Sequence, residues 1–258
     1  MPLDGKSCVR LDATTLVVLG RAEGMRFPLK LTDQGLIGLG SDVGLMRVNP
    51  ATGELIEPLS SGSARIKIAT VSRNGHQIAA IDHNGNLLAL GAREPQIVSR
   101  GLMMYYLVTL DSTGTRLWMT NTGRDFRCLS WPEGRTIWTQ RLPAVAPWFV
   151  MASNDTHLII ALENGSLEVR DSASGMLLRQ IDSGSAAPQA LAISPDGARL
   201  FAMGNEAALH CFDTSLWDEV HALSLGSNVR PHALAVSADG KTIACLTKTG
   251  ELRILRTE

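Results

Sequence analysis

No stretch of the chain offers the roughly 18 consecutive apolar residues that would cross a bilayer as a helix, although 45% of its 258 residues are hydrophobic. An excess of either charge is missing too. Against 24 Lys and Arg stand 25 Asp and Glu, a formal net charge of −1, so the molecule as a whole advertises neither a nucleic-acid nor a membrane partner. Cysteine is scarce. Cys8, Cys128, Cys211 and Cys245 include no C-x-x-C pair and read as small buried hydrophobes of a reducing compartment. Residues 1–21 hold one apolar run, Thr15–Leu19, with no small-residue cleavage site behind it. It is too short for a secretory signal core, so the start reads as mature protein and the expected compartment is cytoplasmic. The N-x-S/T sites at Asn154 and Asn164 carry no weight without a secretory route. There is no phosphate-binding loop, H-E-x-x-H, G-x-S-x-G or zinc-type Cys/His spacing, which removes the enzyme classes those motifs define. No three-turn amphipathic helix is on offer either, because Gly, Pro, Asn or Ser interrupts every candidate.

What the chain does contain is a repeat. APQALAISPDGARLFAMGNEAALHCFD is followed 43 residues later by VRPHALAVSADGKTIACLTKTGELRIL. Each copy reads as an apolar strand, a tight turn, a second apolar strand, a polar loop and a third strand. Working back from Asp196-Gly197 and Asp239-Gly240, the same turn recurs at Asp155-Thr156, Thr113-Gly114, Asn74-Gly75 and Gln34-Gly35, with spacings of 40, 39, 42, 41 and 43 residues. Glycine at these places permits the positive φ that tight hairpins demand. A strand-only repeat of about 40 residues is the signature of a propeller blade. The strands before the turns are dense in apolar residues, which suits an innermost strand packed on both faces.

Residues 44–59 (GLMRVNPATGELIEPL) and 166–181 (SLEVRDSASGMLLRQI) resemble the third strand, turn and fourth strand of a WD40-type blade. Asp171 with Gly175 matches that family's aspartate and turn glycine, Asn49 with Gly53 nearly matches, and Asp213 matches without the glycine. SPDG and SADG resemble YVTN and TolB-type propeller repeats as closely. No Gly-His pair opens the blades and no Trp-Asp closes them, since Trp217-Asp218 falls in a loop. The likeness is WD40-like and covers about residues 22–258.

The expected fold is all-β: a single β-propeller of six four-stranded blades, seven being possible. The blades fall at about 22–63, 64–102, 103–146, 147–186, 187–228 and 229–258. The last copy shows only three strands, an edge open to aggregation. The segment 1–21, through Ser7–Leu11 or Thr14–Leu19, is expected to close the ring by supplying the fourth. A seventh, degenerate blade built from both segments is the alternative.

One residue per blade lies eight positions before each turn: Phe27, Lys67, Tyr106, Trp148, Gln189 and His232. They enter the innermost strands together and are expected around one mouth of the channel, where aromatic and basic side chains suit a protein-binding patch. Arg65, Tyr105 and Arg230, with Asp42, His83 and Arg124 after the second strands, are expected on the same face. The alternative is that these residues merely fill space. Charge is uneven along the chain: residues 64–146 carry ten Lys and Arg against five Asp and Glu, residues 147–258 eight against thirteen. Such polarity can orient a partner. The six histidines occupy scattered repeat positions and form no channel metal set. The recurring turn aspartates read as local hydrogen-bond acceptors.

These features, with WD40-like modules as the family analogy, imply a non-catalytic scaffold without cofactor or metal. It is read as a subunit of a larger assembly that binds a protein or peptide at the channel mouth. A propeller hydrolase or lactonase with a channel metal, and a nucleic-acid-associated subunit using the basic arc, stand as alternatives.

Overall fold

The computed structural model describes residues 7–11, 18–23, 25–32, 34–40, 44–60, 65–90, 95–152, 154–185, 188–206, 208–226, 231–248 and 251–256. Within these, the side chains of 7–11, 18–21, 26–28 and 231 lie outside the description. Every regular element among the described residues is a strand, and none is a helix long and apolar enough to cross a membrane. Strands β1 (Ser7–Leu11) and β2 (Val18–Glu23) form a two-stranded sheet. Six further sheets then follow in chain order. The first is β3 (Met25–Thr32), β4 (Gly35–Gly40), β5 (Leu45–Val48) and β6 (Leu55–Pro58). The second is β7 (Ile66–Val71), β8 (Ile78–Asp82), β9 (Leu87–Leu90) and β10 (Gln96–Ser99). The third is β11 (Tyr105–Leu110), β12 (Arg116–Asn121), β13 (Asp125–Ser130) and β14 (Thr136–Arg141). The fourth is β15 (Trp148–Met151), β16 (His157–Ala161), β17 (Ser166–Asp171) and β18 (Leu177–Asp182). The fifth is β19 (Ala190–Ile193), β20 (Arg199–Met203), β21 (Ala208–Asp213) and β22 (Asp218–Ser224). The sixth is β23 (Pro231–Val236), β24 (Thr242–Thr247) and β25 (Leu252–Arg256).

In each sheet the strands lie in sequence order, so every sheet is a simple meander. Five sheets of four strands and a sixth of three make a six-bladed β-propeller, as the repeat predicted. The expected closure by the N-terminal segment is corrected: β1 pairs with β2, Cys8 opposite Ala22, and no fourth strand joins β25 among the described residues. A partner only a few residues away in the chain costs far less loop-closure entropy than one at the opposite terminus. By compactness the chain divides into two units, Met1–Thr120 with Arg127–Ile137 and Asn121–Phe126 with Trp138–Glu258.

Within each unit the core is made by strands that serve two neighbours. Side chains alternate across a strand. In β8, Ile78 and Ala80 therefore pack with Ile37 and Leu45 of the first sheet. Ala79 and Ile81 pack instead with Tyr105, Leu117 and Trp131 of the third. In the second unit β20 repeats the device. Leu200 and Ala202 join Ile159 and Leu167, while Phe201 and Met203 join Ile243 and Cys245. All five residues of β8 are buried, whereas β7 buries only Ala69 and Val71. The densest burial thus lies in the second strands and not, as the apolar content suggested, in the innermost ones. A second strand has a hydrogen-bonded strand on each edge and an apolar cluster on each face. The fourth strands are outermost, and every residue of β22 is exposed.

The turns follow local chemistry. Ser194 Oγ donates to Asp196 Oδ1 at 2.5 Å and accepts from the Arg199 N–H at 2.9 Å. Ser237 with Asp239, and Ser72 with Asn74, repeat both bonds. The glycines that follow, Gly75, Gly197 and Gly240, have φ between 72° and 75°. In the fourth sheet the left-handed residue is Asp155 (φ 59°), the first residue of its turn pair and not the second as in Asn74-Gly75, Asp196-Gly197 and Asp239-Gly240. Trp217 (φ 60°) takes the left-handed place that Gly175 holds in the preceding sheet, and each donates its N–H to the carbonyl of the strand-ending aspartate.

Candidate functional site

The expected binding residues fall in both units. In the first, Lys67 lies at a bulge, skipped between the pairs Ile66↔Asp82 and Ile68↔Ile81. A bulge turns its side chain out of the pleat. Its ammonium donates to the carbonyls of Met103 at 2.8 Å and Tyr105 at 3.1 Å, so this cation tethers the second sheet to the entry of the third. Arg65 is exposed, and its carbonyl accepts the N–H of the exposed His83 at 2.9 Å. Tyr106 is half-buried. Tyr105 is not at the surface: it is 4% exposed in the core cluster of the second and third sheets, with the Arg127 guanidinium 5.6 Å from its ring centroid. Alternation across β11 sends neighbouring aromatics to opposite sides, and Tyr105 takes the core side. Phe27 pairs with Leu39 through its backbone, and the residue skipped at the first bulge of that strand is Arg26. A further bulge between Pro28 and Lys30 shifts the register by one, so Arg26, not Phe27, is the equivalent of Lys67.

Sequence reasoning missed two exposed apolar residues beside Lys67. Met103 and Met104, in the turn before β11, are 56% and 61% exposed. Gly85 lies under them, where an added Cβ would come within 2.7 Å of the Met103 nitrogen. Paired methionines read as core filler in a sequence; only their place in a tight turn leaves them outside.

In the second unit His232 occupies the same kind of bulge, between Pro231↔Thr247 and Ala233↔Leu246, and is exposed. Gln189 is half-buried and its side-chain amide donates to Asn205 Oδ1 at 3.0 Å. Trp148 pairs with Ala161, one place further into its strand than Gln189, and packs against the core cluster of Ile159 and Leu191. Arg124 has φ 70°, and its guanidinium donates to the Pro143 carbonyl at 2.9 Å, which ties its turn to the segment that follows β14. Arg230 and Asp42 lie outside the described residues.

The turn carboxylates are occupied locally. Burial raises the Asp82 carboxyl, but bonds from Asn86 and Asn84 outweigh it and hold the group below its usual range. The Ser215 hydroxyl and N–H, then Arg199, draw Asp213 down further. Burial pushes the Cys128 thiol up to about 12. No three His, Cys, Asp or Glu side chains come together in a metal-binding group among the described residues.

No family model matches the chain, and no curated protein does. Among solved structures it is similar to the crystal structure of the Cps50 (Swd1) β-propeller domain of Myceliophteria thermophila. The two share 13% identity over 98% of this chain and 90% of that one, with a TM-score of 0.80. At that identity the likeness establishes the β-propeller fold, the class of protein defined here, and carries no activity with it.

Proposed function

We propose that this propeller is a non-catalytic, WD40-like interaction module of the cytoplasm and a subunit of a larger assembly. It engages a partner protein at the entries to the inner strands of its second and third sheets. The observation that carries the reading is the pair Met103 and Met104, exposed beside the tethered Lys67, with Arg65 exposed two residues before Lys67 in the chain. Adaptable thioethers rimmed by cations suit a protein surface that is itself apolar and acidic. The rigid sheets beneath hold these turns in place, the usual division between scaffold and recognition loop. The test is affinity capture with tagged wild type and with Met103→Asp/Met104→Asp, comparing co-purifying proteins. The expected result is loss of the partner with an unchanged melting temperature, since both residues are more than half exposed. Full retention of the partner would remove this surface from consideration.

A further inference from the structure

A cavity of about 640 Å³ opens between the fifth and sixth sheets, wholly within the second unit. Phe201 and Leu209 floor it from one sheet, Ile243 and Leu255 from the other, and Val220 and Leu223 of β22 form its outer wall. Its volume is in the range that specific ligand pockets occupy, roughly 300–1,000 Å³. It lies beside β25, the last strand of the three-stranded sheet. The other five sheets carry a fourth strand outside the third. At β25 no described strand takes that place, so one backbone edge of Leu252–Arg256 faces none. Backbone N–H and C=O groups in such a row are matched in register only by another extended chain.

The ends of the third strands say what that chain carries. Arg199 pairs with Asp213 in the fifth sheet, and Thr242 pairs with Arg256 in the sixth; Arg256 therefore stands where Asp213 does. Asp213 and Asp171 each accept the N–H and hydroxyl of a serine that turns the chain into the fourth strand. An arginine accepts nothing, so Arg256 cannot build that turn. In the fifth sheet the fourth strand sets Asp218 opposite Asp213. The same strand laid on β25 would set Asp218 opposite Arg256. Among the described residues lining the cavity, Arg199 is held by Asp213 and the charge of Lys241 acts on Asp239, while no carboxylate reaches the exposed Arg256.

We propose that this groove is a second docking site. An extended segment of a partner protein adds to the edge of β25 as the fourth strand of the sixth sheet, with alternate apolar side chains in the cavity and a carboxylate against Arg256. This is strand addition, in which main-chain bonds give affinity and alternate pockets give specificity. The site is independent of the methionine surface.

The probe is a fluorescein-labelled peptide of residues 218–224, DEVHALS, titrated with the full chain by fluorescence anisotropy. Expected are saturable binding and a loss of about tenfold with Arg256→Glu. Affinity should return when that variant meets a peptide whose first residue is Lys. N-methylation of the alternate peptide nitrogens that face β25 should abolish binding, and methylation of the other set should not. No saturable binding overturns the proposal. Equal binding of both methylated peptides overturns it in favour of a plain apolar cavity. Binding seen only after residues 1–11 are deleted overturns the partner and assigns the edge to the chain's own N-terminal segment.

Discussion

Replacing Ser194 by alanine tests the turn chemistry on which the blades depend. Ser194 is 5% exposed. Its hydroxyl donates to Asp196 at 2.5 Å and accepts the Arg199 N–H at 2.9 Å. Alanine leaves that N–H facing a methyl group, a loss of about 1–3 kcal/mol for a shielded donor without an acceptor. For a domain of this size each kcal/mol moves the midpoint by roughly 2–4 °C, so a fall of about 2–12 °C is expected. Thermal unfolding at fixed scan rate, followed by circular dichroism, measures it, and Ser194→Thr should recover most of the loss by restoring the hydroxyl. The effect carries a pH signature. Asp196 is held below the usual carboxylate range first by the Ser194 hydroxyl and then by the Ala198 N–H. A depressed carboxylate stabilises the fold above its unfolded pKa, and that contribution disappears as pH falls through the folded value. The gap between wild type and Ser194→Ala should therefore narrow as pH drops from 7 to about 3. A midpoint shift below about 1 °C, or a gap constant with pH, would refute the assignment.

Three further outcomes are expected. Arg170 Nε donates to Glu168 Oε2 at 2.7 Å with side chains 8% and 2% exposed. Glu168→Leu alone should cost about 3–5 kcal/mol in urea unfolding, and Glu168→Leu/Arg170→Met should restore most of it. Native-state alkylation at pH 8, read by peptide mass spectrometry, should modify the half-buried Cys211 before Cys128 and Cys245, both 0% exposed. Trp148→Ala should lower the melting temperature, with a cost of about 2–3 kcal/mol at this partly buried site, because the indole packs on Ile159 and Leu191. It is therefore a poor probe of binding when used alone.

The repeat was legible because its causes are local. Short apolar runs and left-handed turn positions at Gly75, Gly114, Gly197 and Gly240 depend on a few neighbouring residues, and they marked the strands. The register of the entry residues was legible only where no extra bulge intervened: Lys67 and His232 sit at equivalent bulges, whereas the second bulge in β3 put Phe27 one place off. Asp155 misled for a related reason, since an aspartate in the left-handed conformation does not announce itself as glycine does.

By itself, then, the sequence determined a six-fold all-β meander, because strand period and turn conformation are properties of short segments. Tertiary structure alone decided that Tyr105 is core, that Met103 and Met104 are surface, and that β1 pairs with β2 and not, among the described residues, with β25. Those outcomes turn on which distant segment packs alongside. No local pattern records that choice.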